Sequence, residues 1–156
     1  MRRGRWGRKA GVRTTGIITF SLHDSSGVPL NRWTGARTLS LHDVVSRAAR
    51  GTLPEWSVAG ESRRAHMSRV ADLMGDWADA LDLPEMERTR WRAVAHLHDA
   101  LRDEAPSVLA ARLPLVDRTL PGPLMHGPAA AELLRIDGVL DGEFLLAVAS
   151  HTTGDA

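Results

Sequence analysis

Apolar residues recur at spacings of three and four from about Thr38 onward, and this periodicity constrains the fold more than any other feature of the sequence. The longest stripe has five members: Met67, Val70, Met74, Trp77 and Leu81. Such spacing places apolar side chains on one face of an α-helix. After residue 37 no alternation of the kind that a half-buried strand needs is present. The sequence therefore predicts an all-α helical bundle.

Start and stop signals divide this part of the chain into helical segments. The expected helices run from a cap at Thr38 or Ser40 to Arg50, Glu61–Leu81, Glu85–Leu101, about Ser107–Arg112, a helix to about Arg135 with His126 at its N-terminus and Pro128 in its first turn, and Gly142–Ser150. In the third of these, Trp91, Val94, His98 and Leu101 share the apolar spacing. His98 is therefore expected to face the core, with Asp99 rotated to the next edge of the helix.

Residues 1–37 differ in charge from the rest of the chain. They carry eight basic side chains against the single acid Asp24, a net charge of +7, and the remaining residues carry −6. This Gly- and Arg-rich segment has no helical period, so we expect a poorly ordered basic extension, followed by one domain over residues 38–156. An arm that binds nucleic acid, with Trp6 and Trp33 stacking on bases, is the functional alternative. A start codon assigned too early would also explain the segment.

Several classes of protein are excluded by composition. The chain has no cysteine, so neither a disulfide framework nor a thiolate metal site can form. The longest apolar stretch near the start, residues 16–20, is too short for a signal peptide, and nothing resembles a membrane span. We expect one domain without membrane contact, in the cytoplasm.

Four histidines and an aspartate are candidate metal ligands: His66, His98, Asp99, His126 and His151. Five nitrogen and oxygen ligands exceed the four of a closed structural zinc site, which favours a hydrolytic centre with two metal ions. Each histidine could instead be an ordinary hydrogen-bonded or loop residue, and His98 with Asp99 could bridge helices. The other three, His23, His42 and His96, are interpreted as surface residues.

The order of these residues along the chain resembles the motif order of a known protein family. Arg63-x-x-His66, then His98-Asp99, then His126-Gly-Pro, then His151-Thr-Thr-Gly resembles the HD-domain phosphohydrolases, and within them the YqeK-like symmetrical bis(5′-nucleosyl)-tetraphosphatases. The match runs from about Leu53 to the last residue. The combination is specific, whereas a lone His-Asp pair arises by chance, as at His23-Asp24 and His42-Asp43.

The ligand set and the resemblance together predict a reaction. Two cations would hold a bridging hydroxide for in-line attack on phosphorus, with Asp99 as the bridging carboxylate and a catalytic residue. Histidine-rich sites of this kind suit iron or manganese, and zinc remains open. The resemblance implies an HD-domain helical bundle, two iron ions, and cleavage of diadenosine tetraphosphate to two ADP.

Further residues are candidates to bind the phosphates of a nucleotide. Arg63, Arg102, Thr152 and Thr153 could donate to phosphate oxygens, and a solvated helix face or a helix end is the alternative. Arg102, the second candidate catalytic residue, stands where the wider superfamily often has a Lys, three residues after the His-Asp pair. Gly127 lies at the expected helix start beside His126, where backbone N–H groups are free for an anion.

This chain departs from the family pattern at one position. Members of the family continue past His-Thr-Thr-Gly with a helix that carries a last metal-binding Asp, and Asp155 follows too closely to be that residue. We therefore expect a domain truncated at its C-terminus or a site completed by water. The alternatives to the tetraphosphatase are another HD-type nucleotide phosphohydrolase, a metal- or nucleotide-binding module without turnover, and a nucleic-acid-associated protein, which the acidic domain disfavours. Oligomeric state is not indicated.

Overall fold

The computed structural model describes residues 40–114 and 117–154. Over these residues the chain forms six α-helices and no strand. The helices are α1 (Asp43–Ala49), α2 (Glu61–Ala80), α3 (Glu85–Leu97), α4 (Pro106–Arg112), α5 (His126–Ile136) and α6 (Gly142–Ser150), with 3-10 helices at Asp117–Thr119 and Gly122–Leu124. The all-α prediction is confirmed. The predictions for residues 1–37 and for Asp155 lie outside the described residues.

The core is built around α3. This helix packs against α1 and α2 and touches α6, which pairs with α5. The largest side chains that the bundle buries completely are Met67, Leu97, Leu101, Leu134, Val139, Phe144 and Val148. Since they come from α2, from the chain in and just after α3, and from the α5–α6 pair, the apolar interior fixes these segments relative to one another.

The first helix begins later than predicted. It starts at Asp43, and its cap is His42, whose Nδ1 accepts a hydrogen bond from the Val44 N–H at 3.3 Å. The predicted cap at Ser40 is therefore wrong. His42 is half-buried rather than a surface residue, and its imidazole satisfies a helix N–H that would otherwise lack a partner.

The predicted stripe on α2 is confirmed only in part, since Met67 is buried and Val70 and Met74 are half-buried, but its last two members are exposed. The buried residues of this helix are Met67, Ala71, Gly75 and Ala78, whereas Trp77 and Leu81 are 53% and 62% exposed. Small residues occupy the interior face of α2 because they let α3 approach closely. At Gly75 a Cβ atom would lie 2.5 Å from the Arg92 guanidinium, so no larger residue fits there without a shift.

The third helix ends four residues earlier than predicted. It stops at Leu97, and the chain then tightens into turns, with the Ala100 N–H bonded to Leu97 O and the Arg102 N–H to Asp99 O. This tightening turns Asp99 inward. Asp99 is only 6% exposed while His98 is half-buried, which reverses the predicted assignment of the two residues to core and edge.

The remaining helices match their predictions closely. α4 and α6 have the expected bounds within one residue, and α5 begins at His126, which was expected at the N-terminus of this helix. Asp141 caps α6 by accepting a bond from the Phe144 N–H at 3.1 Å. None of the described helices combines the length and the apolar character that a membrane span needs.

Candidate metal centre

All five predicted metal ligands converge at one place in the bundle. His66 comes from the second turn of α2, and the His98-Asp99 pair follows the last residue of α3. His126 is the first residue of α5, and His151 follows the last residue of α6. The packing of α3 against α2 and α6, and of α5 against α6, brings these helix ends together.

The ligand atoms form two overlapping groups. His66, His98 and Asp99 make one group, and Asp99, His126 and His151 make the other, with the ligand atoms of each group within 4.8 Å of one another. Asp99 is the residue that both groups share. A pair of metal ions joined by one carboxylate would need this arrangement.

The two oxygens of Asp99 face different partners. Oδ1 lies 3.1 Å from His126 Nε2 and 3.7 Å from His151 Nε2. Oδ2 lies 3.6 Å from His98 Nε2 and accepts a hydrogen bond from Arg63 Nη1 at 2.9 Å. The carboxylate therefore presents one oxygen to each group of histidines.

Three imidazoles are oriented by the same local contact. In His98, His126 and His151, Nδ1 bonds to the backbone carbonyl three residues earlier, at 2.8, 2.9 and 2.9 Å. A carbonyl oxygen only accepts, so Nδ1 carries the proton in each ring. Nε2 is then the unprotonated nitrogen, and in all three rings it lies within 3.7 Å of an Asp99 carboxylate oxygen. This is the tautomer that a metal ligand of the Nε2 type requires.

Burial keeps two of these rings neutral. It lowers the pKa of His98 against the opposing effects of the Ala95 carbonyl and Asp99. It also lowers the pKa of His126, and His151 and Arg102 act in the same direction. His126 Nε2 lies 3.0 Å from His151 Nε2. Two imidazole nitrogens at this distance need a proton or a cation beside them, and a metal ion supplies the stronger attraction.

The carboxylate of Asp99 stays ionised. Burial on its own would raise its pKa, but the neighbouring basic groups, His98 and Arg63 first and then His126 and His151, outweigh burial and lower the pKa. Arg63 pairs with Oδ2, whereas Oδ1 faces the Nε2 lone pairs of His126 and His151, an arrangement that a second cation would stabilise. The donor set of nitrogens and one carboxylate fits iron, manganese or zinc.

The predicted phosphate-binding residues lie around this centre. Besides its bond to Asp99, Arg63 has Nε 3.9 Å from Asp103 Oδ1. Arg102 donates through Nη1 to the Pro123 carbonyl at 3.1 Å. Thr152 Oγ1 is 2.9 Å from His151 Nε2, while Thr153 donates to Ser150 O at 3.3 Å, as a residue that ends a helix does.

Gly127 is buried against α6. A Cβ atom at this position would lie 2.6 Å from the Ala149 carbonyl oxygen and 3.1 Å from His151 Cε1. The absence of a side chain thus allows α5 and α6 to approach closely enough to set His151 beside His126. The predicted binding of substrate by the Gly127 backbone stays a prediction.

His96 is not part of either ligand group. It is half-buried and faces Gly51, so its assignment to the surface is wrong, although its direction away from the centre was expected. Burial lowers the pKa of His96, and Asp72 opposes this effect.

Three features of the site were missed by sequence reasoning. The carbonyls of Ala95, Pro123 and Val148 aim the rings, and the spacing of three residues before each histidine is the signal that points to them. Asp103 accepts from the Gly60 N–H at 2.7 Å and faces Arg63. Arg69 follows His66 by one helical turn and lines a cavity with it.

Comparison with known proteins places this site in a family. The family model described as HD domain matches residues 63–156, which is more than half of the chain and includes all five ligand residues. No curated protein and no solved structure shows significant similarity to the chain.

Proposed function

The chain belongs to the HD-domain superfamily of metal-dependent phosphohydrolases, and from this premise we propose that it cleaves diadenosine tetraphosphate symmetrically to two ADP. The observation that carries the proposal is the division of the Asp99 carboxylate, with one oxygen toward each group of histidines. A centre for two metal ions suits the transfer of a phosphoryl group to water.

Bound at these residues, two cations would supply Lewis acidity toward a phosphoryl oxygen and lower the pKa of water. His66 and His98 would hold one cation and His126 and His151 the other, with Asp99 between them. Iron is the metal that the family resemblance implies, and manganese and zinc are the alternatives that the donor set allows.

Cleavage at the centre of the phosphate chain requires a residue that stabilises the leaving phosphate. The oxygen of water forms a bond to one inner phosphorus, the bond from that phosphorus to the central bridging oxygen breaks, and the second ADP leaves with that oxygen. Negative charge grows on the leaving phosphate during this step. Arg102 is our candidate for the cation that stabilises it, since a guanidinium pairs with two phosphate oxygens at once.

Arg63 and the two threonines have supporting roles in this proposal. Arg63 is held by Asp99 and Asp103, so its guanidinium is already oriented next to the centre. Thr152 places a hydroxyl beside His151 at the edge of the site, and Thr153 follows it. In this proposal a phosphate oxygen on this side accepts from Thr152 and from the backbone of Gly127, and Thr153 contributes only if its hydroxyl leaves Ser150 O.

Product analysis tests the proposal. The protein is purified without oxygen, loaded separately with ferrous iron, manganese or zinc, and mixed with diadenosine tetraphosphate; the products are then separated by chromatography. We expect ADP alone, and no turnover by the Asp99→Asn variant. AMP together with ATP would show asymmetric cleavage and contradict the proposal.

The alternative functions give different outcomes in the same experiment. Cleavage of nucleoside mono- or diphosphates without cleavage of the dinucleotide would indicate another HD-type nucleotide phosphohydrolase. Metal and nucleotide binding without any product would indicate a binding module. Incubation in water labelled with oxygen-18 adds a check, since one label should enter one of the two ADP molecules.

A further inference from the structure

A cavity lies beside the metal centre on the side of α2. It has a volume of about 380 Å³, and its charged or ionisable lining residues are Glu61, Arg63, His66 and Arg69 from one helix and Asp103 from the turn after α3, the last of which is paired with Arg63 and the Gly60 N–H. Because His66 belongs to one ligand group and also lines this cavity, the cavity opens next to the metal position that His66 would hold.

Arg69 is the unpaired cation of this cavity. Arg63 is paired with Asp99 and Asp103. Within the described residues, the Arg69 guanidinium has no ion pair and no hydrogen bond, and the side chain is exposed. A cation without a partner at the mouth of a cavity is available to an anionic ligand.

The N-terminus of α2 does not by itself explain the cavity. Its Gly60 N–H already donates to Asp103 Oδ2 at 2.7 Å, so the first donor of this helix is satisfied by a carboxylate. That N–H is therefore not free for an anion, and the arginine side chains are the groups that bring positive charge to this cavity.

The three residues Arg63, His66 and Arg69 form one row along α2. Residues three apart lie on the same side of a helix, and six residues span about 9 Å along its axis. A charged chain that starts at the metal centre can follow this row to Arg69. A single phosphate group at the centre would not extend that far.

We propose that this cavity holds the phosphates beyond the bond that is cleaved, with Arg69 as the residue that binds them. The inference rests on the proposed function, because it assigns one half of the substrate to the row on α2. It adds a requirement on the substrate: a linear polyphosphate with at least two phosphates on the far side of the scissile bond is preferred over a monophosphate ester.

The binding experiment uses two inorganic probes, tripolyphosphate and orthophosphate, titrated calorimetrically into the metal-loaded full chain. We expect tripolyphosphate to bind more tightly, and Arg69→Gln to weaken tripolyphosphate binding about tenfold, the loss typical of one charge-assisted hydrogen bond, with orthophosphate unaffected. Arg69→Lys should recover part of the affinity because it restores the charge. Arg50→Gln is the matched control, since it removes the same charge from an exposed arginine at the end of α1.

Kinetics separates this inference from the proposed function. For diadenosine tetraphosphate we expect Arg69→Gln to raise KM about tenfold with kcat nearly unchanged. If the dinucleotide is not cleaved but Arg69→Gln still weakens tripolyphosphate binding, the proposed function fails and the cavity assignment stands. If the dinucleotide is cleaved and Arg69→Gln binds and reacts like Arg50→Gln, the cavity assignment is overturned. Equal affinity of the wild-type protein for both probes would also overturn it.

Discussion

Arg102 and His126 bond to the same backbone oxygen, that of Pro123. Arg102 Nη1 donates to it at 3.1 Å, and His126 Nδ1 donates to it at 2.9 Å. The Arg102 N–H also bonds to the carbonyl of Asp99 at 3.0 Å. The arginine is therefore tied to the turn that orients one candidate ligand and to the backbone of another.

Arg102→Gln should reduce kcat/KM for the dinucleotide by about tenfold to a hundredfold, as expected for one charge-assisted contact to phosphate, about 1.5–3 kcal/mol. Metal content should change little, because His126 keeps its own bond to Pro123. Activity assays combined with elemental analysis test this. Loss of metal to the extent seen in His126→Ala would mean that Arg102 acts by orienting the ligand.

Asp99→Asn should remove most of the metal from both positions, since Asp99 is the only residue shared by the two ligand groups. Asparagine keeps the size of the side chain but loses the charge. His66→Ala and His151→Ala should each lose about one of the two ions, because each ring belongs to one group. The stoichiometry is measured by elemental analysis after gel filtration.

His96→Ala is the control for these variants. It removes an imidazole from α3 two residues before His98, but from the side that faces Gly51. Its metal content should equal that of the wild-type protein. A loss equal to that of His98→Ala would show that the orientation of α3 is misassigned.

Gly127→Ala should destabilise the protein by about 1–3 kcal/mol, the usual cost of overpacking. The new methyl group would meet the Ala149 carbonyl and move the end of α6, which carries His151. The ion of the Asp99, His126 and His151 group should be lost first. Urea unfolding and metal analysis measure the two effects. Gly142→Ala is the control, because a Cβ atom there meets nothing within 4 Å.

Acidification below about pH 6.5 should destabilise the metal-free protein. The folded pKa values of His98 and His126 are lowered from 6.5, so between those values and 6.5 the unfolded chain binds more protons than the folded chain. Stability must then fall as pH falls through this window. The lowered pKa of Asp99 adds a further loss only below its ordinary value of 3.8.

Urea unfolding at a series of pH values measures this dependence. The slope of unfolding free energy against pH should be smaller in His126→Gln, which removes one of the titrating groups. A wild-type stability that is flat from about pH 7 to pH 5 would contradict the prediction.

Deleting residues 1–37 should leave metal content and thermal stability nearly unchanged. All five candidate ligands lie between residues 66 and 151, and the deleted segment has no apolar periodicity with which to bury surface. Thermal unfolding of the metal-loaded full chain and of the deletion variant provides the comparison. Precipitation of the shorter chain would place the domain boundary earlier.

The class of fold and most helix limits followed from the sequence because spacing, prolines and glycines act locally. The buried face of α2 did not. Trp77 and Leu81 satisfy the apolar period, but Ala71 and Gly75 occupy the interface, since the close approach of α3 favours small side chains over large ones. That choice depends on the neighbouring helix, which the sequence of α2 does not contain.

The members of the candidate site could be identified from motif order, but their geometry could not. Helical phasing placed His98 inward and Asp99 at an edge, and the early end of α3 reverses this. The contact of Arg63 with Asp99 joins residues 36 positions apart, so it depends on packing of α2 against α3. Arg69 lacks a motif of its own, and its proposed role follows only from its place in the cavity.

The carbonyls of Ala95, Pro123 and Val148 each steer the imidazole that follows three residues later. Ring orientation is thus encoded within a four-residue stretch and does not require a distant partner. Such a stretch can be used as a local building block in protein design. A designer who wished to rebuild this centre in another helical scaffold would have to position three backbone ends around one aspartate, and the rings would already be aimed.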